Sequence, residues 1–460
     1  MKLEDRFIKY LINSSNKIKI NSQDIKKNDI FLALKGSNFH GNKYINDALI
    51  AGAKFCITDK NFKQAHNSEK ILLVKNIENF LFNLSERKRS LYDGKVIGIT
   101  GSAGKTSLKE YLKFFLEKKF KVSASIKSYN NNLGVMISIL NLDLKSDYAI
   151  FEIGTNNFFE IRELTKLVRP SQIFITNIQS THLKNFKNKK NIAKEKSDIF
   201  RNKYNPLAEI LYFQKISKEE ELIYNIAKKE KLKKIIPIGK TEDGSYIAQV
   251  KKLESQYNIN LKILNKNYKI IIDEYEEKNI LNLIFLLTFF ILNKINTKII
   301  INNNYYYYKA PKVEGRGSIH NFLLNNFKIR LIDQSYNANP ETMIESIKNF
   351  SIIKNNNRDK FLILGNMNEL GLKSHDLHIK VIKEIEKYQF NEVILSGDFF
   401  KKALSMFSKL KNNYVYKISG QNIMSYLKNK LHKNAIIMVK CSNKTEVNNF
   451  VKLLKLKKRG

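Results

Sequence analysis

Cysteine is scarce in this sequence, which has only Cys56 and Cys441 among 460 residues. The two cysteines lie far apart and outside any Cys-x-x-Cys pattern, so neither a zinc ribbon nor a disulfide framework is indicated. The first residues, Met-Lys-Leu-Glu-Asp-Arg, are not followed by the apolar segment that a signal peptide needs. We therefore expect the protein in a reducing cytoplasm.

Long apolar runs are also lacking in the sequence. The longest one covers residues 280–291, which is too short to cross a bilayer, and it contains the polar residues Asn282 and Thr288. This run predicts a buried helix, and the sequence as a whole predicts no membrane span.

Acidic residues are few relative to basic ones, because 43 Asp and Glu stand against 81 Lys and Arg, for a formal net charge of +38. Such a charge is typical of a nucleic-acid binder, but it also results from a composition rich in Lys, Asn and Ile throughout. We favour the second explanation because the lysines are spread along the chain and not gathered on one arm. A positive surface would still favour polyanionic small substrates such as nucleotides.

The length of the chain and its 43% hydrophobic residues predict about three α/β domains with buried cores. Residues 1–90 predict a small mixed α/β domain, in which a helical stretch near 44–51 interrupts apolar runs at 30–34, 55–58 and 71–74. This N-terminal domain is followed by two larger ones.

In residues 91–306, near-continuous apolar strands alternate with helices, which is typical of a parallel sheet covered on both faces, as in phosphate-loop ATPases. A tyrosine-rich segment at 305–311 marks the second boundary. Residues 307–460 then predict a C-terminal Rossmann-like domain, with strands at 329–332, 361–364, 393–395 and 436–439.

A glycine-containing segment between an apolar strand at 96–100 and an amphipathic helix has the context of a phosphate-binding loop. Its residues are Gly101, Ser102, Ala103, Gly104, Lys105 and Thr106. Backbone N–H groups of such a loop close around phosphate oxygens, and the helix N-terminus adds a favourable dipole. Lys105 can reach the β- and γ-phosphates of ATP, and the Thr106 hydroxyl can bind Mg²⁺. The strict pattern has Gly where this chain has Ile99, but the flanking strand and helix favour the loop over a chance turn.

Two side chains with metal-binding chemistry follow neighbouring strands. Glu152 lies near the end of the apolar strand at 148–153, and His182 follows the strand at 173–177. Because the carboxyl ends of parallel strands meet at one edge of a sheet, both are expected beside the phosphate loop, where such enzymes hold their metal. The alternatives are an ordinary charged strand end and a structural histidine.

Together these segments resemble the Mur ligases of bacterial cell-wall synthesis. The resemblance rests on the phosphate loop, on Glu-Ile-Gly at 152–154, on Ile-Thr-Asn-Ile at 175–178 and on Thr-His-Leu at 181–183. Two later segments strengthen it, Asp-Gln-Ser-Tyr-Asn-Ala-Asn-Pro at 333–340 and Leu-Gly-Asn-Met-Asn-Glu-Leu-Gly at 364–371. The similarity extends from about residue 20 to residue 445.

The resemblance implies an ATP-dependent amide ligase that uses ATP and Mg²⁺. The segment at 333–340 points to the activity that joins D-alanyl-D-alanine to UDP-N-acetylmuramoyl-tripeptide through an acyl phosphate, in peptidoglycan precursor synthesis. This activity implies small-molecule substrates, no nucleic-acid partner and a monomer. Two alternatives remain: a Mur ligase that adds the third peptide residue, whose usual Asp-Asn-Pro-Arg motif we do not find, and a basic nucleic-acid-binding ATPase.

The resemblance also implies roles for residues at the ATP phosphates. Lys105 and Thr106 would bind the phosphates and Mg²⁺, with Glu152 and His182 as metal ligands. Lys196 matches the lysine that family members carry as a carbamate near a second Mg²⁺, the alternative being a solvated lysine on a helix. Lys105, Lys196 and His182 would be the catalytic residues.

Further matches concern the rest of the nucleotide. Asn282 matches a position on the adenine side. The third domain would contact the nucleotide through Arg316, Asp333 and Asn337. For Asn337 the alternative is turn chemistry before Pro340.

The substrate side matches the family less closely. Asn130 and Asn131 match its substrate-side asparagines. Ser22 would contact the uridine diphosphate, but the family's Asp-Ser-Arg is Asn-Ser-Gln here, at 21–23. Lys-Cys-Ser at 440–442 stands where Lys-Gly-Ser is usual. These changes affect the expected substrate contacts more than the expected ATP chemistry.

Overall fold

The computed structural model describes residues 3–13, 18–36, 39–62, 68–126, 128–239, 244–253, 256–272, 277–301, 313–354 and 357–456. Within these residues the chain forms three sheets, of four, nine and six strands, with helices packed on them. The predicted α/β architecture with three domains is confirmed. The tyrosine-rich boundary at 305–311 lies outside the described residues.

The first sheet is parallel, with its strands in the order β1-β2-β3-β4. The strands are β1 (Ile18–Lys19), β2 (Ile30–Ala33), β3 (Phe55–Thr58) and β4 (Ile71–Leu73). The helices are α1 (Leu3–Asn13), α2 (Ile45–Ile50) and α3 (Ile77–Ser90). The three predicted strands correspond to β2, β3 and β4, and the predicted helix corresponds to α2.

The middle sheet has the order β13-β12-β11-β10-β9-β8-β5-β7-β6 and is parallel except for the pairs β11–β12 and β12–β13. Its first strands are β5 (Lys95–Thr100), β6 (Val122–Ala124), β7 (Tyr148–Glu152), β8 (Gln172–Ile175) and β9 (Ile210–Lys215). The later ones are β10 (Lys234–Gly239), β11 (Ser245–Lys252), β12 (Tyr257–Ile263) and β13 (Lys266–Ile272).

Eight helices of the described residues accompany this sheet. The first four are α4 (Lys105–Leu116), α5 (Asn132–Leu140), α6 (Glu160–Val168) and α7 (Leu183–Phe186). The others are α8 (Lys189–Ser197), α9 (Lys218–Ala227), α10 (Glu277–Leu292) and α11 (Lys298–Ile301). Helix α10 contains the apolar run at 280–291, so the predicted buried helix is confirmed.

Both faces of the middle sheet are buried, as the apolar strands predicted. Successive side chains of a strand point to opposite faces, and in β7 Ala149 and Phe151 join one core while Tyr148 and Ile150 join the other. Helices α4 and α10 belong to the second core, and α5 and α6 belong to the first. The central strand β5 is therefore held between two helical layers, which fixes the position of the loop that follows it.

Helix α3 connects the first domain to the middle one through two buried basic residues near its C-terminus. The Lys88 ammonium donates to the backbone oxygens of Leu11 at 3.1 Å and Leu140 at 2.6 Å. The Arg89 guanidinium donates to the backbone oxygen of Val168 at 2.7 Å. These oxygens belong to the last turns of α1, α5 and α6, where the helix dipole favours a positive charge.

The third sheet has the order β14-β15-β19-β16-β17-β18 and is parallel except for the pair β14–β15. Its strands are β14 (Ser318–Leu324), β15 (Phe327–Gln334), β16 (Asp359–Gly365), β17 (Glu392–Ser396), β18 (Tyr414–Tyr416) and β19 (Ala435–Lys440). Its helices are α12 (Pro340–Ile352), α13 (Ser374–Ile385), α14 (Asp398–Leu404), α15 (Gly420–Lys430) and α16 (Glu446–Leu456). The four predicted strands correspond to β15, β16, β17 and β19.

None of the helices in the described parts of the chain has both the length and the apolar character that crossing a membrane requires.

Candidate active site

The phosphate loop follows β5, the strand that lies between β7 and β8, and leads into the N-terminus of α4. Gly101 and Gly104 have φ angles of +144° and +84°, which residues other than glycine rarely adopt. A Cβ atom at Gly101 would lie 1.9 Å from Thr176 Oγ1, so glycine is required where the loop passes the next strand. This arrangement of strand, glycine turn and helix N-terminus is the one that binds phosphate in many nucleotide enzymes.

The segment after β8 holds the loop in place. The backbone N–H of Ala103 donates to Asn177 Oδ1 at 2.9 Å, and that of Ser102 donates to the Asn177 backbone oxygen at 3.0 Å. Thr176 Oγ1 donates to the backbone oxygen of Ala103 at 2.5 Å. Ser102 Oγ donates to the Gln179 backbone oxygen at 3.2 Å. These hydrogen bonds hold the loop in its conformation.

Glu152, at the end of β7, lies directly against the loop. Thr106 Oγ1 donates to Glu152 Oε2 at 2.7 Å, and Asn130 Nδ2 donates to Glu152 Oε1 at 2.7 Å. The Glu152 side chain is fully buried. A buried carboxylate is costly without partners, and these two hydrogen bonds supply them. The structure thus brings three predicted site residues, Thr106, Glu152 and Asn130, into one hydrogen-bonded group.

Lys105 folds back over the loop, with its ammonium donating to the backbone oxygen of Gly101 at 2.7 Å. Burial lowers the pKa of Lys105, the Glu152 carboxylate opposes this effect, and the charge of Arg316 adds to it. Lys105 is therefore close enough to Glu152 and Arg316 for both charges to affect its pKa. This position suits a cation that binds the anionic end of a nucleotide.

Lys196 is only 2% exposed, so the alternative of a solvated helix lysine is wrong. Burial and the nearby charge of Lys105 hold the pKa of Lys196 well below its usual range. A depressed pKa favours the neutral amine, which is the form that reacts with carbon dioxide to give a carbamate. A carbamate here would place a negative charge near Lys105 in place of a second positive one.

His182 lies immediately before α7, with φ at +52°. Its ring contacts the carboxylate of Glu369, which belongs to the third domain, through Nδ1. This hydrogen bond lowers the pKa of Glu369 below its usual range. The contact links the middle domain to the loop after β16.

The third domain contributes a second wall. The Arg316 guanidinium lies 4.1 Å from the centre of the Tyr336 ring, a cation–π arrangement. The Tyr336 hydroxyl contacts the Ser128 hydroxyl of the middle domain. Arg316 is thereby held over the gap between the two domains.

A cavity of about 270 Å³ lies between these walls. Nine of the predicted site residues line it, namely Ser102, Ala103, Gly104, Lys105, Asn130, Glu152, His182, Arg316 and Asn337. Gly101 and Thr106 belong to the same loop. Lys196 is near enough to Lys105 for the charge of Lys105 to lower the pKa of Lys196. Residues of the phosphate loop, of β7, of the segment after β8 and of the third domain thus meet at one site.

Besides Gly101, Thr106 and Lys196, four predicted residues are not among the described residues that line the cavity. Asn131 caps α5, where its Oδ1 accepts from the Gly134 N–H at 2.9 Å. Asp333 accepts a hydrogen bond from Lys455 Nζ at 2.7 Å. Asn282 lies within the buried helix α10, and Ser22 lies in a short 3₁₀ turn of the first domain.

The site fits a magnesium ion that arrives with a nucleotide. Among the described residues, no cluster of three or more His, Cys, Asp or Glu side chains could hold a metal by itself. The cavity offers the Glu152 carboxylate, hydrogen-bonded to the Thr106 hydroxyl, together with His182. Mg²⁺ is usually bound by one or two carboxylates together with substrate phosphates and water. A carboxylate and a hydroxyl at the start of α4 match that requirement.

Sequence reasoning missed one face of α12, which also lines the cavity. Glu345 and Ser346 follow Thr342 by three and four residues and so share that face. Ser346 Oγ donates to Gln334 Oε1 at 2.6 Å, and Lys440 Nζ donates to the same oxygen at 3.3 Å. The capping pattern Asn-Pro-Glu-Thr marks the helix start, but a polar helix face usually faces solvent, so the pattern alone gave no sign of a site.

Cys441 occupies a tight position, as its departure from the family pattern suggested. The residue is fully buried, and burial raises the pKa of its thiol to about 12. A Cβ atom on Gly365 would lie 2.7 Å from Cys441 Cβ, so Gly365 supplies the room that the Cys441 side chain needs. The room for the Cys441 side chain is thus provided by the neighbouring strand β16, which ends at Gly365.

Comparison with family models gives two matches. The model described as the Mur ligase family catalytic domain matches residues 15–89, and the Mur ligase middle domain matches residues 99–288.

Similar proteins extend over nearly the whole chain. The UDP-N-acetylmuramoyl-tripeptide–D-alanyl-D-alanine ligase of Rickettsia prowazekii is 30% identical over 442 residues, which are 95% of this chain and 94% of the relative. The ligase of the same name from Buchnera aphidicola (subspecies Baizongia pistaciae) is 30% identical, with 96% and 92% of the two chains covered.

Solved structures show the same fold at lower identity. MurF from Acinetobacter baumannii superposes with a TM-score of 0.77 and 22% identity, covering 95% of this chain and 92% of that one. MurF ligase from Thermotoga maritima in complex with ADP has a TM-score of 0.76 and 22% identity, covering 98% and 99%.

Proposed function

The chain belongs to the Mur ligase family, and we propose that it is the ATP-dependent ligase that joins D-alanyl-D-alanine to UDP-N-acetylmuramoyl-tripeptide in peptidoglycan precursor synthesis. Two relatives that align with nearly the whole chain carry that activity in their names. The observation that carries the proposal is the cavity, in which the phosphate loop, Glu152 and Lys105 face Arg316 and Asn337 of the third domain.

The reaction forms two bonds in succession. A terminal carboxylate oxygen of the tripeptide attacks the γ-phosphorus of ATP, ADP leaves, and an acyl phosphate results. The amine of D-alanyl-D-alanine then attacks the acyl carbon and loses a proton, and phosphate leaves as the amide bond forms. The physical difficulty is that two anions must approach each other and that a charged tetrahedral intermediate must be stabilised. Fixed positive groups in a water-poor cleft neutralise these charges.

In this proposal the phosphate loop and Lys105 bind the ATP phosphates. Thr106, Glu152 and His182 would hold Mg²⁺, which would neutralise charge at the phosphates. Lys196 would act as a carbamate that helps to hold a second Mg²⁺. Its burial and depressed pKa support that role, since a buried ammonium beside Lys105 would repel a metal.

The third domain closes on the nucleotide. Arg316 and Asn337 line the cavity and are proposed to contact the phosphates and ribose, with Asp333 as a further contact. Asn282 is proposed to lie on the adenine side, as one of two polar residues in the apolar run of α10 at 280–291. Closure of a domain over bound nucleotide is a common way to exclude water before chemistry.

The substrates are proposed to span all three domains. Residues 1–90 bind the uridine diphosphate, with Ser22 as a contact, and residues 91–306 bind ATP. Asn130 and Asn131 lie on the substrate side, where Asn130 already orients Glu152. Residues 307–460 form the closing domain. We propose a monomer in the cytoplasm with no nucleic-acid partner.

A phosphate-release assay with each substrate omitted in turn tests the proposal. Rapid release is expected only when ATP, Mg²⁺, UDP-N-acetylmuramoyl-tripeptide and D-alanyl-D-alanine are all present. Release that needs a free diamino acid in place of D-alanyl-D-alanine would indicate the ligase for the third peptide residue. Release stimulated by DNA or RNA, with steep salt dependence, would indicate a nucleic-acid-binding ATPase and would refute the proposal.

A further inference from the structure

One carboxylate of the third domain contacts a proposed metal ligand of the middle domain. Glu369 lies in the loop between β16 and α13, and its carboxylate meets Nδ1 of His182. The two residues are 187 positions apart in the sequence, so only the packing of the two domains brings them together. His182 also lines the cavity that contains Glu152.

The loop around Glu369 is docked on α7 at more than this one point. The Lys184 N–H donates to the backbone oxygen of Glu369 at 3.1 Å. Gly371 packs so closely on Lys184 that an added Cβ would lie 3.0 Å from its Cα. Both His182 and Glu369 have positive φ angles, +52° and +65°, which are uncommon for residues other than glycine. The contact is therefore part of a specific docking of two irregular segments.

The contact determines which ring nitrogen of His182 remains for a metal. A carboxylate oxygen accepts hydrogen bonds, so Nδ1 of His182 is the donor to Glu369. Nε2 is then the ring nitrogen left to bind a metal. Metal-binding histidines usually donate their other ring N–H to a carboxylate or carbonyl, which fixes the tautomer and the ring orientation.

We propose that Glu369 is a positioning residue that holds His182 for the metal, so that docking of the third domain completes the metal site of the middle domain. The proposal rests on the proposed function, since it takes His182 as a ligand of the nucleotide-bound Mg²⁺. It goes beyond that function because it ties metal binding to the arrangement of the domains through one side chain.

A plainer explanation is that the pair only helps to hold the two domains together. The chain offers a matched control for this explanation, because Glu341 makes a similar contact between the same domains. Its carboxylate accepts from Ser180 Oγ at 2.7 Å and pairs with Lys189 Nζ at 3.0 Å, without touching His182. Removing Glu341 thus weakens the contact between the domains but leaves the His182 ring with its partner.

The test measures the affinity for Mn²⁺ by electron paramagnetic resonance, with the full chain and a non-hydrolysable ATP analogue. Glu369→Ala is expected to weaken Mn²⁺ binding by about 10-fold or more, the scale for losing an outer partner of a metal ligand. Glu369→Gln is expected to keep most of the affinity, because an amide oxygen can accept from Nδ1–H. Glu341→Ala is expected to bind Mn²⁺ as the unchanged protein does.

Two results would overturn the proposal: unchanged Mn²⁺ affinity in Glu369→Ala, or equal losses in Glu369→Ala and Glu341→Ala. The variant His182→Ala separates these failures from a failure of the proposed function. If His182→Ala loses Mn²⁺ affinity while Glu369→Ala does not, only the positioning role is wrong. If His182→Ala binds Mn²⁺ normally, His182 is no metal ligand, and both the proposed metal site and this inference are refuted.

Discussion

The Thr106 hydroxyl donates a 2.7 Å hydrogen bond to the carboxylate of Glu152, which connects the first turn of α4 to the end of β7. The other carboxylate oxygen accepts from Asn130. The carboxylate that we propose as a metal ligand is thus oriented by two donors. Such preorganisation lowers the cost of assembling a charged site.

Thr106→Val should therefore weaken binding of ATP with Mg²⁺ by about 10-fold to 100-fold, the scale of a lost hydrogen bond to a charged group. The valine is similar in shape but leaves one oxygen of the buried Glu152 without its donor. Thr106→Ser keeps the hydroxyl and should bind nearly as well as the unchanged protein. Isothermal titration calorimetry with a non-hydrolysable analogue measures both; equal affinities for the two variants would show that the hydroxyl has no such role.

Lys105→Ala should leave the fold intact and lower turnover by roughly 10²-fold or more, because one fixed positive charge is lost at the phosphates. The matched control is Lys113→Ala on the same helix, whose ammonium is partly exposed and pairs with Glu117 at 3.7 Å. Phosphate release with all substrates measures turnover, and circular dichroism checks the fold. Near-normal turnover in Lys105→Ala would mean that the loop does not bind the reacting phosphates.

Lys196→Ala should lose activity and regain part of it when short carboxylic acids are added, since they can stand in for a carbamate. Lys194→Ala removes an exposed lysine of the same helix and should change little. The amide-forming rate is measured with and without added acetate or propionate. An active Lys196→Ala enzyme, or an inactive one that no acid restores, would contradict the carbamate role.

Lys88 gives a prediction on stability. Burial lowers the pKa of its ammonium from 10.5 to about 8, while Asp143 opposes the shift. Between these two pH values the unfolded chain holds a proton that the folded chain has released. The contribution of Lys88 to the free energy of unfolding therefore rises with pH across this window, because the cost of burying the charge disappears.

Urea denaturation of the unchanged protein and of Lys88→Met at pH 7 and pH 10 tests this. The unfolding free energy of the unchanged protein minus that of Lys88→Met should be larger at pH 10 than at pH 7. Arg87→Met, which removes an exposed basic residue of the same helix, should show no such change. A difference for Lys88→Met that stays constant with pH would mean that Lys88 titrates as an exposed lysine does.

The phosphate loop and the strands around it were predictable because their signals are local. An apolar strand, a glycine turn and an amphipathic helix follow one another within residues 96–116, and the structure reproduces that order. Glu152 and His182 could be placed beside the loop because parallel strands share one carboxyl edge. The three predicted strands of the first domain were likewise marked by short apolar runs.

The third-domain wall of the cavity was harder to predict, because it depends on how two domains pack. The contact between His182 and Glu369 and the contact between Ser128 and Tyr336 join residues about 200 positions apart. No local pattern encodes such pairs. Strands β11, β12 and β13 give only weak signals in the sequence, because lysines and asparagines on their exposed faces interrupt the apolar pattern.

The proposed reaction requires that a carboxylate is activated with ATP before the amide forms. The most direct measurement uses UDP-N-acetylmuramoyl-tripeptide whose terminal carboxylate is labelled with ¹⁸O, with mass spectrometry of the phosphate released during the reaction with D-alanyl-D-alanine. We expect label in the phosphate, because a carboxylate oxygen leaves with it. Amide product formed together with unlabelled phosphate would rule out an acyl phosphate intermediate.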